Sequence, residues 1–371
     1  MLYKENWDSV KERWRQYWKR ANAGLPLMYL VAEKPDKKPL PPELEIRDTF
    51  DRYRDAARMT ARFRHYCENH LFLADSFPNI SGDFGPGSAA GYLGSEIVFH
   101  HDTVWFEPCV EDWASHPELR FDPENKWWKE HYRLVRDIRA LAGEDFYVGI
   151  PDIMENIDVL ASLRGTQDTV FSMMDEPEEL QRRIAQVGRA YFEYYDRFYD
   201  IVKNDADVGS CYTVFQIWGE GRTVKLQCDF SALMSPQNFR DFIQQPLREQ
   251  ASRMDNVLYH LDGPDAIKHV DAVMEIEEID SLQWTSGDHG PDGTLPDWDT
   301  IYDKVRRAGK SLWVKVYSGG FDDWLRGAER IIRKYGSRGL FLMFPPMSLR
   351  DAEGLLDYAE KNWKDVEGSF K

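Results

Sequence analysis

Cysteine is scarce and unpaired. The 371 residues hold four, Cys67, Cys109, Cys211 and Cys228, and no two of them form a Cys-x-x-Cys. That excludes a zinc ribbon and a disulfide-stapled scaffold. Long apolar runs are missing too, with no window approaching the roughly 18 unbroken apolar residues of a membrane span. The N-terminal stretch MLYKENWDSVKERWRQ is charged from Lys4 onward and has no apolar core, so no signal peptide and a cytoplasmic location are expected. Positive charge is in deficit. The formal net charge is -17, which argues against a nucleic-acid partner, because phosphate neutralisation needs a basic face. There is no strict Gly-x-Gly-x-x-Gly, no repeat, no low-complexity tract and no Pro/Gly/Ser linker; the segment 34–45 (KPDKKPLPPELE) reads as a proline-rich surface loop.

What is present is enough for one large core. Hydrophobic residues make up 42% and charged residues 30%, so the chain should fold as one domain over residues 1–371. Aromatic residues are plentiful, with 13 Trp, 18 Tyr and 20 Phe. They suit a large core, or a pocket for a flat or sugar-like ligand.

Helical spacing is clear in four places. Residues 6–21 put Trp7, Val10, Trp14, Trp18 and Ala21 on one face and stop before Gly24 and Pro26. Residues 175–203 start at Asp175-Glu176-Pro177. Residues 235–253 start with a serine cap and a proline, Ser235-Pro236, and Pro246 should kink them. Residues 348–362 open with the capping pattern Ser348-Leu349-Arg350-Asp351. Between the helices lie short runs rich in β-branched and aromatic residues: 26–33, 70–74, 146–150, 208–218, 224–228, 256–261, 279–284, 311–317 and 339–344. Strand and helix alternate from about residue 140, which predicts a parallel sheet with crossover helices. Runs apolar on both faces suit strands buried on both sides.

Polar residues stand just after many of these runs. In YHLDG (259–263), His260 and Asp262 are two apart on a strand and so share a face. They are either a buried structural pair or the floor of a site, as metal ligands or an acid/base pair. Cys228-Asp229 is either a core cysteine beside a helix-entry aspartate or a metal thiolate with Asp229 facing a pocket. Asp152, Glu155 and Asp158 either cap the helix starting near 156 or place Asp152 or Glu155 at a binding mouth. Trp218, Gln283 and Trp284 are wall or ligand contacts. Asn79 and Asp83 in FPNISGDFG follow an early strand. His289 in SGDHGPDG and the pair His100-His101 are loop histidines with a binding reading and a bland one. Recurrence of such residues after strand after strand favours a (β/α)8 TIM barrel with an N-terminal helical extension, whose site lies at the strands' C-terminal ends. An open doubly wound sheet would gather them at one switch point.

The stretches DVLASLRGTQDTVFSMMDEPEEL (158–180), CDFSALMSPQNFRDFIQQPL (228–247) and YHLDGPDAIKHVDAV (259–273) resemble the uroporphyrinogen decarboxylase superfamily over roughly residues 140–360. That resemblance implies a (β/α)8 barrel. It also implies one of two activities: porphyrinogen decarboxylation, or methyl transfer to or from a corrinoid protein. The decarboxylases grip carboxylates with an N-terminal arginine-rich loop. This chain reads ANAGLPLMYLVAEK there, and Arg13, Arg15 and Arg20 read as the solvent face of the first helix. The methyltransferase branch often uses zinc, with His-x-Cys where this chain has His260-x-Asp262, and a cysteine near the last strand where it has Phe344-Pro345-Pro346.

The expectation is therefore a zinc-assisted methyltransferase acting on a small methylated substrate with a corrinoid-binding partner protein. His260, Asp262 and Cys228 would be the metal ligands, and His260, Asp262 and Asp229 the reacting groups. Asp152, Glu155, Trp218, Gln283, Trp284, Asn79, Asp83 and His289 would contact the substrate. A metal-free decarboxylase or lyase, and a non-catalytic binding protein for an aromatic or sugar-like ligand, are the alternatives. The oligomeric state is left open.

Overall fold

Apolar spacing decides the first helix. In the computed structural model, which describes residues 1–204, 208–287 and 290–370, Trp7–Trp18 is helical and buries Trp7, Val10, Trp14, Tyr17 and Trp18. Tyr17 hydrogen-bonds Ser281 Oγ at 2.7 Å, and the Trp18 indole donates to the Trp218 carbonyl at 2.8 Å. The helix thus lies across the sheet's interior positions at its N-terminal end. Arg13 is not on the solvent face. Its guanidinium pairs with Asp75 at 2.5 Å and donates to the Leu25 and Pro26 carbonyls. Asp75 is 2% exposed, and a carboxylate buried that far needs a paired charge.

The strands Thr223–Gln227, Asn256–Asp262, Ser281–Thr285, Ser311–Lys315 and Leu340–Met343 lie side by side in chain order, all parallel. Leu340–Met343 then pairs in parallel with Leu27–Glu33. Helices such as Asp299–Arg307 and Phe321–Tyr335 join successive strands, as a parallel ladder requires. Asn79–Ile80 and Tyr147–Val148 form a second parallel pair. His70–Ala74 runs antiparallel to Leu27–Glu33.

Among the described residues these ladders do not join into one ring. The run 208–218, expected as a single strand, is a hairpin of Ser210–Tyr212 and Ile217–Gly219 around the tight turn Thr213–Phe215. Gln216, at φ +52°, supplies the left-handed residue that reverses the chain. The hairpin bridges the two parallel groups: Ile150 N–H donates to the Cys211 carbonyl at 2.9 Å, and Thr223 N–H to Ser210 Oγ at 3.0 Å.

The helix expected over 235–253 forms with the Ser235 cap in place, its oxygen accepting from Asn238 N–H. Pro246 does not simply kink it. The turn before it, Arg240–Gln244, is π-helical. Proline offers no N–H and crowds the carbonyl four residues back, and a widened turn relieves both. Ser348 caps Leu349–Asn362 as its spacing predicts.

Candidate metal and substrate site

Register decides which side chains face inward. Parallel neighbours in register point to the same side, and Gln227, His260, Gln283 and Trp313 are successive partners across four strands. Two residues further along, Asp229 follows Gln227, and Asp262 pairs with Thr285. Two residues earlier, Lys225 pairs with Leu258 and Leu258 with Ser281. Lys225, Gln227 and Asp229 therefore form one inward column, while Leu226 and Cys228 belong to the outward face.

The inward columns bring Asp229, His260 and Asp262 together, with one ligand-type atom from each within 4.8 Å of the others. Cys228 is not in that group. Its thiol is buried and pushed well above its usual range by that burial and by Asp158 and Asp229. Strand parity turns Cys228, the cysteine expected from the sequence, away from the group, and Asp229 stands there instead.

His260 is oriented from its neighbouring strand. Its Nδ1 meets Gln283 Oε1, while Gln283 Nε2 donates to the Trp284 carbonyl at 2.8 Å and to Thr285 Oγ1 at 2.7 Å. Nδ1 must then carry the proton, leaving the Nε2 lone pair to accept a proton or a metal. Burial and the Lys225 ammonium push the imidazole down to about 4, against the Gln283 hydrogen bond and Asp152. It is neutral at pH 7, as a ligand must be.

Asp229 reaches solvent but is ringed by protein, and that desolvation, with Asp158 and Asp262 opposed by Lys225, pushes it up to about 7. Gln227 Nε2 donates to Asp229 Oδ2 at 2.7 Å, and Gln227 Oε1 accepts from Lys225 Nζ. Asp158 does not cap its own helix. Its two oxygens accept the Asp229 and Phe230 N–H groups at 2.9 and 2.7 Å and set the turn that carries Asp229. Glu155 is fully buried at the helix start, with Oε1 taking the Gln227 N–H at 2.6 Å and Oε2 unpaired. Burial raises its pKa well above the usual carboxylate range.

Lys225 is the residue that sequence reasoning missed. It is fully buried and forms a 2.8 Å ion pair with Asp152. Burial lowers its pKa, but Asp152 and Glu155 outweigh that and leave it raised, so it is an ammonium and not a nucleophilic amine. The alternation Thr223, Lys225, Gln227, Asp229 inside an otherwise apolar strand was the available signal.

The remaining expected contacts divide. Asp152 accepts the Tyr212 hydroxyl at 2.7 Å and pairs with Lys225. Its own N–H donates to Asp83 Oδ1 at 2.6 Å. Gln283 acts through His260. Asn79 is buried against Gln216 at 2.7 Å. Trp284 faces outward in register with Leu261 and packs on Trp298 at 5.0 Å. Trp218 is wholly buried against Trp7 at the N-terminal helix. Neither tryptophan is placed to orient a substrate at the carboxylates. His289 lies outside the described residues. His101 pairs with Asp102 on the exposed hairpin end.

No protein-family model and no curated protein sequence matches the chain. A solved structure does: a methyltransferase from Methanosarcina mazei, aligned over 95% of this chain and 98% of that one with a TM-score of 0.61 at 12% identity. An aldolase/citrate lyase family protein from Burkholderia cenocepacia aligns with a TM-score of only 0.25 at 14% identity, over 77% of this chain and 92% of that one. The chain has a methyltransferase-like fold built on a central parallel sheet.

Proposed function

We propose that the chain is a metal-assisted methyltransferase on a (β/α)8 barrel of the uroporphyrinogen decarboxylase superfamily. It would take a methyl group from a small methylated substrate and pass it to the reduced corrinoid of a partner protein. The observation that carries this reading is the convergence of Asp229, His260 and Asp262 at the strand ends. The fold shared with the M. mazei methyltransferase supports the reaction class.

One imidazole nitrogen and two carboxylate oxygens fit zinc, which catalytic sites commonly hold with three protein ligands. When bound, the metal supplies a Lewis acid for the substrate heteroatom that carries the methyl group. Without a thiolate the donor set is hard, which suits an oxygen or nitrogen methyl donor better than a thiol. The chain's own residues prepare the ligands. Gln283 fixes the His260 tautomer, Gln227 holds Asp229, and Lys225 offsets part of the buried negative charge.

Metal analysis of untagged protein purified without chelators tests this. Wild type should hold about one zinc per chain, and His260→Ala should lose it. Methyl transfer from methylated amines and ethers to a corrinoid protein should then follow. A metal-free wild type would sink the reading. It would favour a metal-free decarboxylase or lyase, in which Asp229 at about pKa 7 carries a proton beside neutral His260.

A further inference from the structure

A cavity of about 740 Å³ is lined in part by Asp83, the carboxylate that accepts the Asp152 N–H. One wall is the antiparallel hairpin Glu96–Phe99 and Val104–Glu107. Another is the glycine-rich segment from Gly82 to Ser88, and helix Asn156–Arg164 forms a third. The first two walls meet closely. A Cβ on Gly87 would stand 2.6 Å from the Phe106 ring, and one on Gly85 would stand 3.1 Å from Val104. The hairpin is therefore seated where only glycine admits it.

The lining has one electrical character. It includes the carboxylates of Asp83 and Asp102, the rings of Tyr53, Trp105 and Phe106, and the thioether of Met154, and it includes no lysine, arginine or histidine. Asp102 is paired with exposed His101. Asp83 is held by the Asp152 N–H at 2.6 Å and the Ser81 hydroxyl, and carboxylate oxygens keep further acceptor sites. Trp105 leaves 63% of its surface in solvent, so its ring is open to a ligand.

We propose that this cavity is the subsite for an organic cation, an alkylated ammonium group on the substrate, held between Asp83 and the Tyr53 and Trp105 rings. Aromatic faces and a carboxylate both attract such a cation. An anion would meet two carboxylates and no counter-charge, and a neutral apolar group would cover Asp83 without compensating it. The assignment of this group to the non-reacting end of the substrate rests on the methyl-transfer reading, with the methyl-bearing heteroatom at Asp229, His260 and Asp262. The two regions are tied by the chain Asp83, Asp152, Lys225, Gln227, Asp229.

Titration calorimetry of the full chain with choline and with 3,3-dimethylbutan-1-ol, its uncharged carbon isostere, is the test. Choline should bind about tenfold more tightly or better. Trp105→Ala and Asp83→Asn should each weaken choline about fivefold or more, with little change for the alcohol. Trp105 is exposed enough for its variant to fold. Equal affinity for the two probes, no choline binding, or choline binding indifferent to both variants overturns the proposal. His260→Ala separates the two readings. Retained choline preference there supports the cation subsite even if no methyl transfer is found. Methyl transfer by wild type without any choline preference defeats the subsite alone.

Discussion

His260 and Gln283 stand in register on adjacent parallel strands, and the imidazole Nδ1 meets the amide oxygen. The amide's own N–H groups are spent on Trp284 and Thr285, so Gln283 can only accept. Gln283→Leu should keep the fold but free the ring to rotate or change tautomer. Metal affinity should fall by about 10- to 100-fold, the usual cost of losing a ligand's orienting partner. Competition titration with a zinc indicator measures it, and an unchanged affinity would remove Gln283 from the site.

The donor set itself separates two neighbouring residues. Asp229→Asn should abolish stoichiometric metal, while Cys228→Ala should leave it intact, since parity sends the thiol outward. Elemental analysis of both variants decides this. The opposite pattern would restore Cys228 as the ligand.

Lys225→Met tests the buried charge balance. It removes the ammonium paired with Asp152 in a neighbourhood that also holds Glu155 and Asp158. Breaking a buried pair on one side costs about 3–5 kcal/mol, so denaturant unfolding should show a loss of that order. Lys225→Gln, which can still donate to Gln227, should lose less.

His131 gives a pH dependence away from the site. It is wholly buried, stacks on Phe84 at 4.1 Å and hydrogen-bonds the Gly82 carbonyl. Burial pushes its pKa down to about 4, against that bond. The unfolded chain binds the proton more tightly, so the contribution is whole above about pH 6.5 and is lost as pH falls toward 4. Its full size is about 3 kcal/mol. Guanidinium unfolding at a series of pH values should show wild type losing more stability over that interval than His131→Gln. Parallel curves for the two proteins would refute the assignment.

Gly87→Ala should displace the hairpin, because the Phe106 ring occupies the space a methyl needs. A loss of about 1–3 kcal/mol is expected. Choline affinity should drop with it. Normal stability and normal binding would show that the hairpin is not held there by close packing.

Much of the architecture could be read along the chain. The faces of the helices Trp7–Trp18 and Pro177–Val202, the caps at Ser235 and Ser348, and the later parallel strands follow from periodicity and local chemistry alone. So does the shared face of His260 and Asp262, because period two puts both on one side of the strand. The same rule, applied from Thr223, would have found Lys225 and set Asp229 apart from Cys228.

Register between strands, the reversal at Gln216 and the docking of the first helix were decided only by the tertiary structure. Those contacts bury Trp218, turn Trp284 outward, pair Arg13 with Asp75 and bring Asp229 to His260 across a strand boundary. The physical reason is range. Side-chain alternation is set by neighbours in the chain, whereas burial of a charge and convergence of ligands depend on which strands lie side by side.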